Sequence, residues 1–74
     1  MKLSELKTGQ SGRVQSMTIT GSMRHRLQDI GFVRGAPVVC VLHSPLGDPT
    51  AFYVNGSLMA LRKSESARIE VEPV

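Results

Sequence analysis

Residues 50–61 read Thr-Ala-Phe-Tyr-Val-Asn-Gly-Ser-Leu-Met-Ala-Leu, which is two apolar runs joined by an Asn-Gly pair. A two-residue primed turn needs a positive φ at both central positions, and Asn followed by Gly tolerates this best. Asn55-Gly56 therefore predicts a β-hairpin in which Ala51–Val54 pairs with Ser57–Leu61.

Three further strands are predicted around this hairpin. Ala36–Leu42 is rich in β-branched residues and is apolar at both odd and even positions, so both faces of this strand are apolar. We expect one face to line the core. The other side must meet the helix, a neighbouring segment or another molecule. Gly12–Thr20 predicts a first strand with a bulge or bend, because its apolar residues occupy both odd and even positions and a regular strand could not turn all of them to the core. Arg68–Glu72 alternates polar and apolar residues and predicts a last strand with one solvated face.

Two helical segments interrupt the strands. Ser22–Ile30 has apolar residues at i, i+4 and i+7, which predicts an amphipathic helix inserted after the first strand. Ser22 is the predicted N-cap, and Gly31 is the residue expected to close the last turn in a left-handed conformation. Lys63–Ala67 reads as a single helical turn before the last strand.

The length of 74 residues allows one domain, which we assign to the whole chain, 1–74. Short antiparallel strands in so small a chain leave unprotected edges, and closure of the sheet removes them. The pattern therefore predicts a mainly β fold: a small, partly closed barrel of five strands with one inserted helix.

Charge and cysteine content narrow the possible functions only slightly. Nine basic and six acidic side chains give a formal net charge of +3, which permits a nucleic acid, an acidic lipid or an acidic protein as partner. The single cysteine, Cys40, fits a reducing compartment. The charged amino terminus does not resemble a secretory signal, and no apolar run approaches the ~20 residues of a spanning helix, so we expect no membrane insertion.

Three blocks of the sequence match a known family. Residues 26–35, RLQDIGFVRG, resemble Arg-Leu-x-x-Met-Gly-hydrophobic-x-x-Gly, and residues 45–49, PLGDP, resemble Pro-x-Gly-Asp-Pro. Residues 61–71, LRKSESARIEV, resemble Leu-Arg-x-x-Glu-Ala-x-x-Ile-x-Val. Ile30 replaces the usual methionine and Ser66 the usual alanine, both at expected packing positions. Together the blocks resemble FeoA, the small A protein of bacterial ferrous-iron transport.

The resemblance implies an SH3-like barrel of five to six strands, located in the cytoplasm and at the inner face of the membrane through its partner. It further implies a non-catalytic accessory protein that binds a cytoplasmic part of the FeoB-type transporter, such as its GTP-binding region, and promotes its activity. A related barrel is the terminal domain of iron-dependent repressors. The sequence has no segment upstream of the barrel long enough for a helix-turn-helix, so repression is not expected.

No catalytic, metal or cofactor site is predicted. Cys40 and His43 are three residues apart on a strand, so we expect them on opposite faces and unable to hold one ion. His25 is expected in solvent on the polar side of the helix. Asp48 is expected to bond its own backbone in a turn rather than to act as an acid or base.

The candidate partner-binding residues fall in three places. Arg62 and Lys63, with Glu65, form either a surface ion pair or a docking edge. Tyr53 is expected to face outward beside the Pro45–Pro49 loop, as a half-buried tyrosine or as a partner anchor. The predicted set is Tyr53, Pro45, Leu46, Asp48, Arg62, Lys63 and Glu65.

Three alternatives stay open. A small basic barrel can bind single-stranded nucleic acid, although three aromatic residues are few for base stacking, and we expect no nucleic-acid partner. An Fe(II)-responsive regulatory module is the second alternative. A weak homodimer is the third, because the apolar strand Val38–Leu42 can be buried by a second copy.

Overall fold

A computed structural model describes all 74 residues and shows five antiparallel strands in one sheet, with two helices and a 3₁₀ turn at Leu3–Glu5. The strand order across the sheet is β4-β3-β2-β1-β5. The predicted mainly β architecture is confirmed. The elements are β1 (Ser11–Met17), α1 (Gly21–Ile30), β2 (Pro37–His43), β3 (Thr50–Val54), β4 (Ser57–Leu61), α2 (Lys63–Ser66) and β5 (Ile69–Pro73).

The hairpin of β3 and β4 forms as predicted. Asn55 and Gly56 have φ angles of 49° and 79°, which are the two positive values that a type I′ turn requires. Val54 pairs with Ser57 next to the turn, and the register continues without interruption to Thr50 opposite Leu61.

Each of two strands contains a bulge. In β1 the register with β5 shifts between Val14 and Ser16, which confirms the predicted bulge. In β2 the register with β3 shifts between Cys40 and Leu42, which the sequence analysis did not predict. An extra residue in one strand reverses the face that later side chains occupy. The bulge in β2 therefore determines which face of the sheet the His43 side chain occupies.

Helix α1 begins before the predicted residue. Thr20, not Ser22, occupies the N-cap position, and no side chain caps the first turn. Gly21, with a φ of 72°, lets the chain turn earlier, and the Arg24 guanidinium donates to the carbonyl oxygens of Met17 and Ile19 at 3.0 and 3.2 Å. Those bonds hold the first turn of the helix against the end of β1 and the residues that follow it. The predicted cap at Ser22 is wrong because the helix has already begun at Gly21. Gly31 ends the helix as predicted.

The core is one cluster of 13 buried apolar residues drawn from the strands, α1, the 3₁₀ turn and the segments that connect them. Burial of both phenylalanines leaves Tyr53 as the exposed aromatic residue. The inner side of β2 contributes Val38 and Cys40, but Val41 and Leu42 are 40% and 61% exposed. The outer side of β2 is therefore open to solvent in this chain and is covered neither by the helix nor by a neighbouring segment.

Candidate protein-interaction surface

The loop between β2 and β3 lies against the start of α2. The backbone amide of Lys63 donates to Oδ1 of Asp48 at 2.8 Å, although the two residues are 15 positions apart. Two of the predicted groups of partner-binding residues are therefore joined in space. We call this surface the loop–helix patch; its residues are Pro45, Leu46, Asp48, Arg62, Lys63 and Glu65.

The carboxylates of the patch bond to backbone amides. Glu65 Oε1 accepts from the amide of Arg62 at 2.9 Å, and Asp48 accepts from Lys63 rather than from its own turn. These amides belong to the first turn of a helix, which has no intrahelical acceptors for them. The predicted surface ion pair among Arg62, Lys63 and Glu65 is therefore wrong, because the Glu65 carboxylate satisfies the backbone.

This use of the carboxylates leaves the cations of the patch without ion-pair partners. The one ion pair within 4.0 Å in the structure joins the Met1 ammonium to Glu70 at 3.4 Å and involves no residue of the patch. Arg62 and Lys63 are both exposed, and Leu46, at the tip of the loop, is 93% exposed. The patch therefore contains one exposed apolar side chain and two exposed positive charges that form no ion pair.

Tyr53 lies apart from the loop–helix patch. It faces outward on β3 as predicted and is 48% exposed, but its cross-strand neighbours are Val39 and Leu58. It lies three positions along the strand from Thr50 at the loop end, which is roughly 10 Å. The expectation that Tyr53 lies beside the Pro45–Pro49 loop is therefore wrong, because the side chain is at the turn end of the hairpin.

Tyr53 instead belongs to an apolar sheet surface of which the sequence predicted only the part on β2. We call it the outer face; its residues are Val39, Leu42, Ala51, Tyr53, Leu58 and Ala60. Leu42 and Leu58 are 61% and 64% exposed. One signal in the sequence was available: between Ala36 and Leu61 the only charged residue is Asp48. The other acidic and basic residues lie outside that stretch.

Cys40 and His43 are in contact, contrary to the prediction that they occupy opposite faces. Sγ of Cys40 lies 3.5 Å from Nε2 of His43. The bulge between Cys40 and Leu42 adds one residue to β2 and returns His43 to the side of Cys40. The face rule assumes an unbroken strand, so the prediction failed at the bulge.

The His43 ring is fully engaged within the fold. Its Nε2 is 3.1 Å from the Leu6 carbonyl oxygen, and its Nδ1 is 3.0 Å from Oγ1 of Thr50. Because a carbonyl only accepts, a neutral ring donates from Nε2 and accepts the Thr50 hydroxyl proton at Nδ1. Burial raises the pKa of the Cys40 thiol above its usual value of 9.0. This cluster connects three parts of the core.

No group of three or more His, Cys, Asp or Glu side chains is placed to hold a metal ion. His25 is exposed on α1, as predicted. Two shallow grooves flank α1, one against β1 and one against α2, and neither is lined by a histidine or cysteine. Neither helix has the length and apolar composition that a membrane-spanning helix requires.

The architecture is that of a small SH3-like β-barrel, as comparison with known proteins shows. The crystal structure of zinc-complexed FeoA from Stenotrophomonas maltophilia, described as a prokaryotic SH3 domain protein, superimposes with a TM-score of 0.85. It is 36% identical, over 97% of this chain and 89% of that one. The solution structure of FeoA from Chlorobium tepidum gives a TM-score of 0.95 at 42% identity, over 100% of this chain and 70% of that one.

The model of the FeoA domain family matches residues 1–73, and the chain belongs to the FeoA family. The predicted family is confirmed. A relative in Porphyromonas gingivalis is a fusion of Fe(2+) transport protein A with the Fe(2+) transporter FeoB. It is 36% identical over 72 residues, which is 97% of this chain, and the chain spans 8% of the length of the fusion protein.

Proposed function

We propose that this chain is a non-catalytic accessory protein of bacterial ferrous-iron uptake that binds a cytoplasmic region of a FeoB-type transporter and promotes its activity. The fusion relative carries the proposal, since one polypeptide there contains an A unit and a FeoB transporter. Covalent joining raises the effective concentration of two units that bind each other. We place the protein in the cytoplasm, at the inner face of the membrane through its partner.

The loop–helix patch is the surface that we propose for docking. An exposed apolar anchor within a polar rim is the usual composition of a protein interface, and arginine is enriched there. Leu46 supplies the anchor and Arg62 and Lys63 supply the rim, with Pro45 beside Leu46 in the loop. Asp48 and Glu65 fix the geometry through their backbone bonds. The matching transporter surface is an apolar pocket with acidic side chains around it.

A pull-down with the purified cytoplasmic domains of the transporter tests this proposal. The Leu46→Ser variant should bind about tenfold more weakly, because the anchor is lost while the core is untouched. Val33→Ser is the matched control, since Val33 is also an exposed apolar residue, at 49%, but lies after α1. Wild-type protein that binds no cytoplasmic region, together with normal ferrous uptake in a deletion strain, would overturn the proposal.

The structure gives less support to the other two functions. Single-stranded nucleic acid needs several stacking aromatics, and Tyr53 alone is exposed. Oligonucleotide titration at several salt concentrations tests that function. The Fe(II)-responsive module stays a prediction, and the zinc complex of the Stenotrophomonas maltophilia relative makes it worth testing. Anaerobic calorimetry with Fe(II) would detect a tight site.

A further inference from the structure

The outer edge of β4 is an unpaired strand edge. Strand β4 is the last strand on one side of the sheet and pairs with β3 alone. None of the backbone hydrogen bonds outside the helices and strands involves residues 57–61. The groups of β4 that point away from β3 therefore lack partners in the chain.

The two-residue turn at Asn55-Gly56 determines which backbone groups of β4 are unpaired. In a hairpin with a two-residue turn, the pair flanking the turn exchanges hydrogen bonds, and bonded pairs then alternate along the strands. Ser57, Met59 and Leu61 are therefore bonded to β3. The N–H and C=O groups of Leu58 and Ala60 point outward from the sheet edge.

This edge lacks the features that usually protect an edge strand. Proteins block such edges with charged side chains, proline or a bulge. Ser57–Leu61 contains no charge and no proline, and its register with β3 is regular at all five positions. The opposite edge strand, β5, contains Glu70, Glu72 and Pro73. The two edges of one sheet therefore differ in their protection.

We propose that β4 pairs in antiparallel orientation with β4 of a second copy, about a two-fold axis that passes by Met59. In this register Leu58 of each copy lies opposite Ala60 of the other. Both residues have outward N–H and C=O groups, so the two pairs form four hydrogen bonds. A large side chain then meets a small one at each pair, which avoids a clash between two leucines.

Charge and surface composition favour a second copy as the occupant. The added strand must be extended, uncharged and apolar on one face, because Leu58 and Ala60 lie on the outer face. Strand β4 itself meets each of these requirements. The dimer would also join two outer faces into one continuous apolar surface. A five-residue strand buries less than the ~1,000 Å² of a stable interface, so the dimer is weak and depends on concentration.

Sedimentation equilibrium and hydrogen exchange over a range of concentrations test the proposal. We expect the Leu58 and Ala60 amides to exchange more slowly as concentration rises, while the Met59 amide is protected throughout. The Leu58→Lys variant should weaken self-association by about tenfold or more, because it places a charge beside the new pair and removes an apolar contact. Leu58 is exposed in the monomer, so this variant keeps its core.

Two further variants separate this arrangement from others. Val33→Lys introduces the same charge at an exposed apolar position away from β4 and should change association less than about twofold. Leu42→Lys alters the outer face away from the edge and should also have little effect. A protein that is monomeric at about 1 mM, or one in which Leu42→Lys abolishes association and Leu58→Lys does not, would overturn the proposal. Dimerisation does not depend on the transporter, so this result is independent of the proposed function.

Discussion

Gly31 and Asn55 are in direct contact, so the end of α1 is seated on the turn of the β3–β4 hairpin. A Cβ atom on Gly31 would lie 2.6 Å from the Cβ of Asn55, which is closer than such atoms approach. Gly31 also has a φ of 133°, which L side chains rarely adopt. The glycine that ends α1 and the asparagine of the Asn-Gly turn, each of which the sequence predicts separately, therefore pack against each other.

The Gly31→Ala variant should lose about 2 to 4 kcal/mol of unfolding free energy, because strain in φ adds to the contact with Asn55. Gly56→Ala is the control, since its φ of 79° is also positive but nothing lies within 4 Å of the added atom. That variant should lose about 1 kcal/mol. Urea denaturation measures both. Equal losses in the two variants would show that the contact with Asn55 contributes nothing.

Asp48 should stabilise the loop–helix patch through its oxygen atom rather than through its charge. Asp48→Ala removes the acceptor of the Lys63 amide and should cost about 1 kcal/mol, as the loss of a helix-capping group does. Asp48→Asn retains an oxygen acceptor and should cost less. Hydrogen exchange at the Lys63 amide should accelerate in the alanine variant. Unchanged exchange in that variant would mean that the bond of 2.8 Å is not formed in solution.

The parts of the fold that local chemistry determines could be predicted from the sequence. The turn at Asn55-Gly56, the helix end at Gly31 and the bulge in β1 each follow from a dipeptide, a glycine or a parity conflict. The way the candidate partner residues group in space could not be predicted. The bond from Lys63 to Asp48 joins residues that are 15 positions apart, and no periodicity reports such a contact.

The bulge in β2 could not be predicted, because Ala36–Leu42 is apolar at both parities. In a strand that alternates polar and apolar residues, a bulge is visible as an interruption of the alternation. A uniformly apolar strand has no alternation, so its sequence does not show where a bulge lies. The contact between Cys40 and His43 was missed for this reason. The part of the outer face on β3 and β4 was missed for a different reason: both sides of β4 are apolar, so the pattern does not show which side lies in the core.

His43 should contribute to stability although it lies at a strand end. His43→Ala leaves the Thr50 hydroxyl and the Leu6 carbonyl oxygen without partners and should cost about 1 to 3 kcal/mol. His25→Ala, on the exposed side of α1, should change stability by less than about 0.5 kcal/mol. Thermal unfolding of both variants at neutral pH measures the difference. A His43 variant as stable as the His25 variant would contradict the hydrogen-bond network.

The double variant Arg62→Ala/Lys63→Ala should weaken binding to the transporter without reducing stability. Both side chains are exposed and make no ion pair, so the unfolding free energy should change by less than about 0.5 kcal/mol. Wild-type binding should weaken as salt rises, and the variant should show a smaller salt dependence. Arg26→Ala on α1 removes an exposed charge elsewhere and is the control. If the wild type, the double variant and the Arg26→Ala control showed the same salt dependence of binding, the loop–helix patch would be excluded as the docking surface.

Cys40 should make the protein less stable at alkaline pH. Burial raises the pKa of its thiol above 9.0, so the unfolded chain loses this proton at a lower pH than the folded chain does. The unfolding free energy should therefore be constant below the unfolded pKa and fall as pH rises through the folded pKa, by at most ~1.4 kcal/mol per pH unit. The Cys40→Ala variant lacks this component and keeps every other ionisable side chain. Urea denaturation from pH 7 to 10.5 should give curves for the two proteins that converge as pH rises, and parallel curves would show that the thiol is not held in its neutral form.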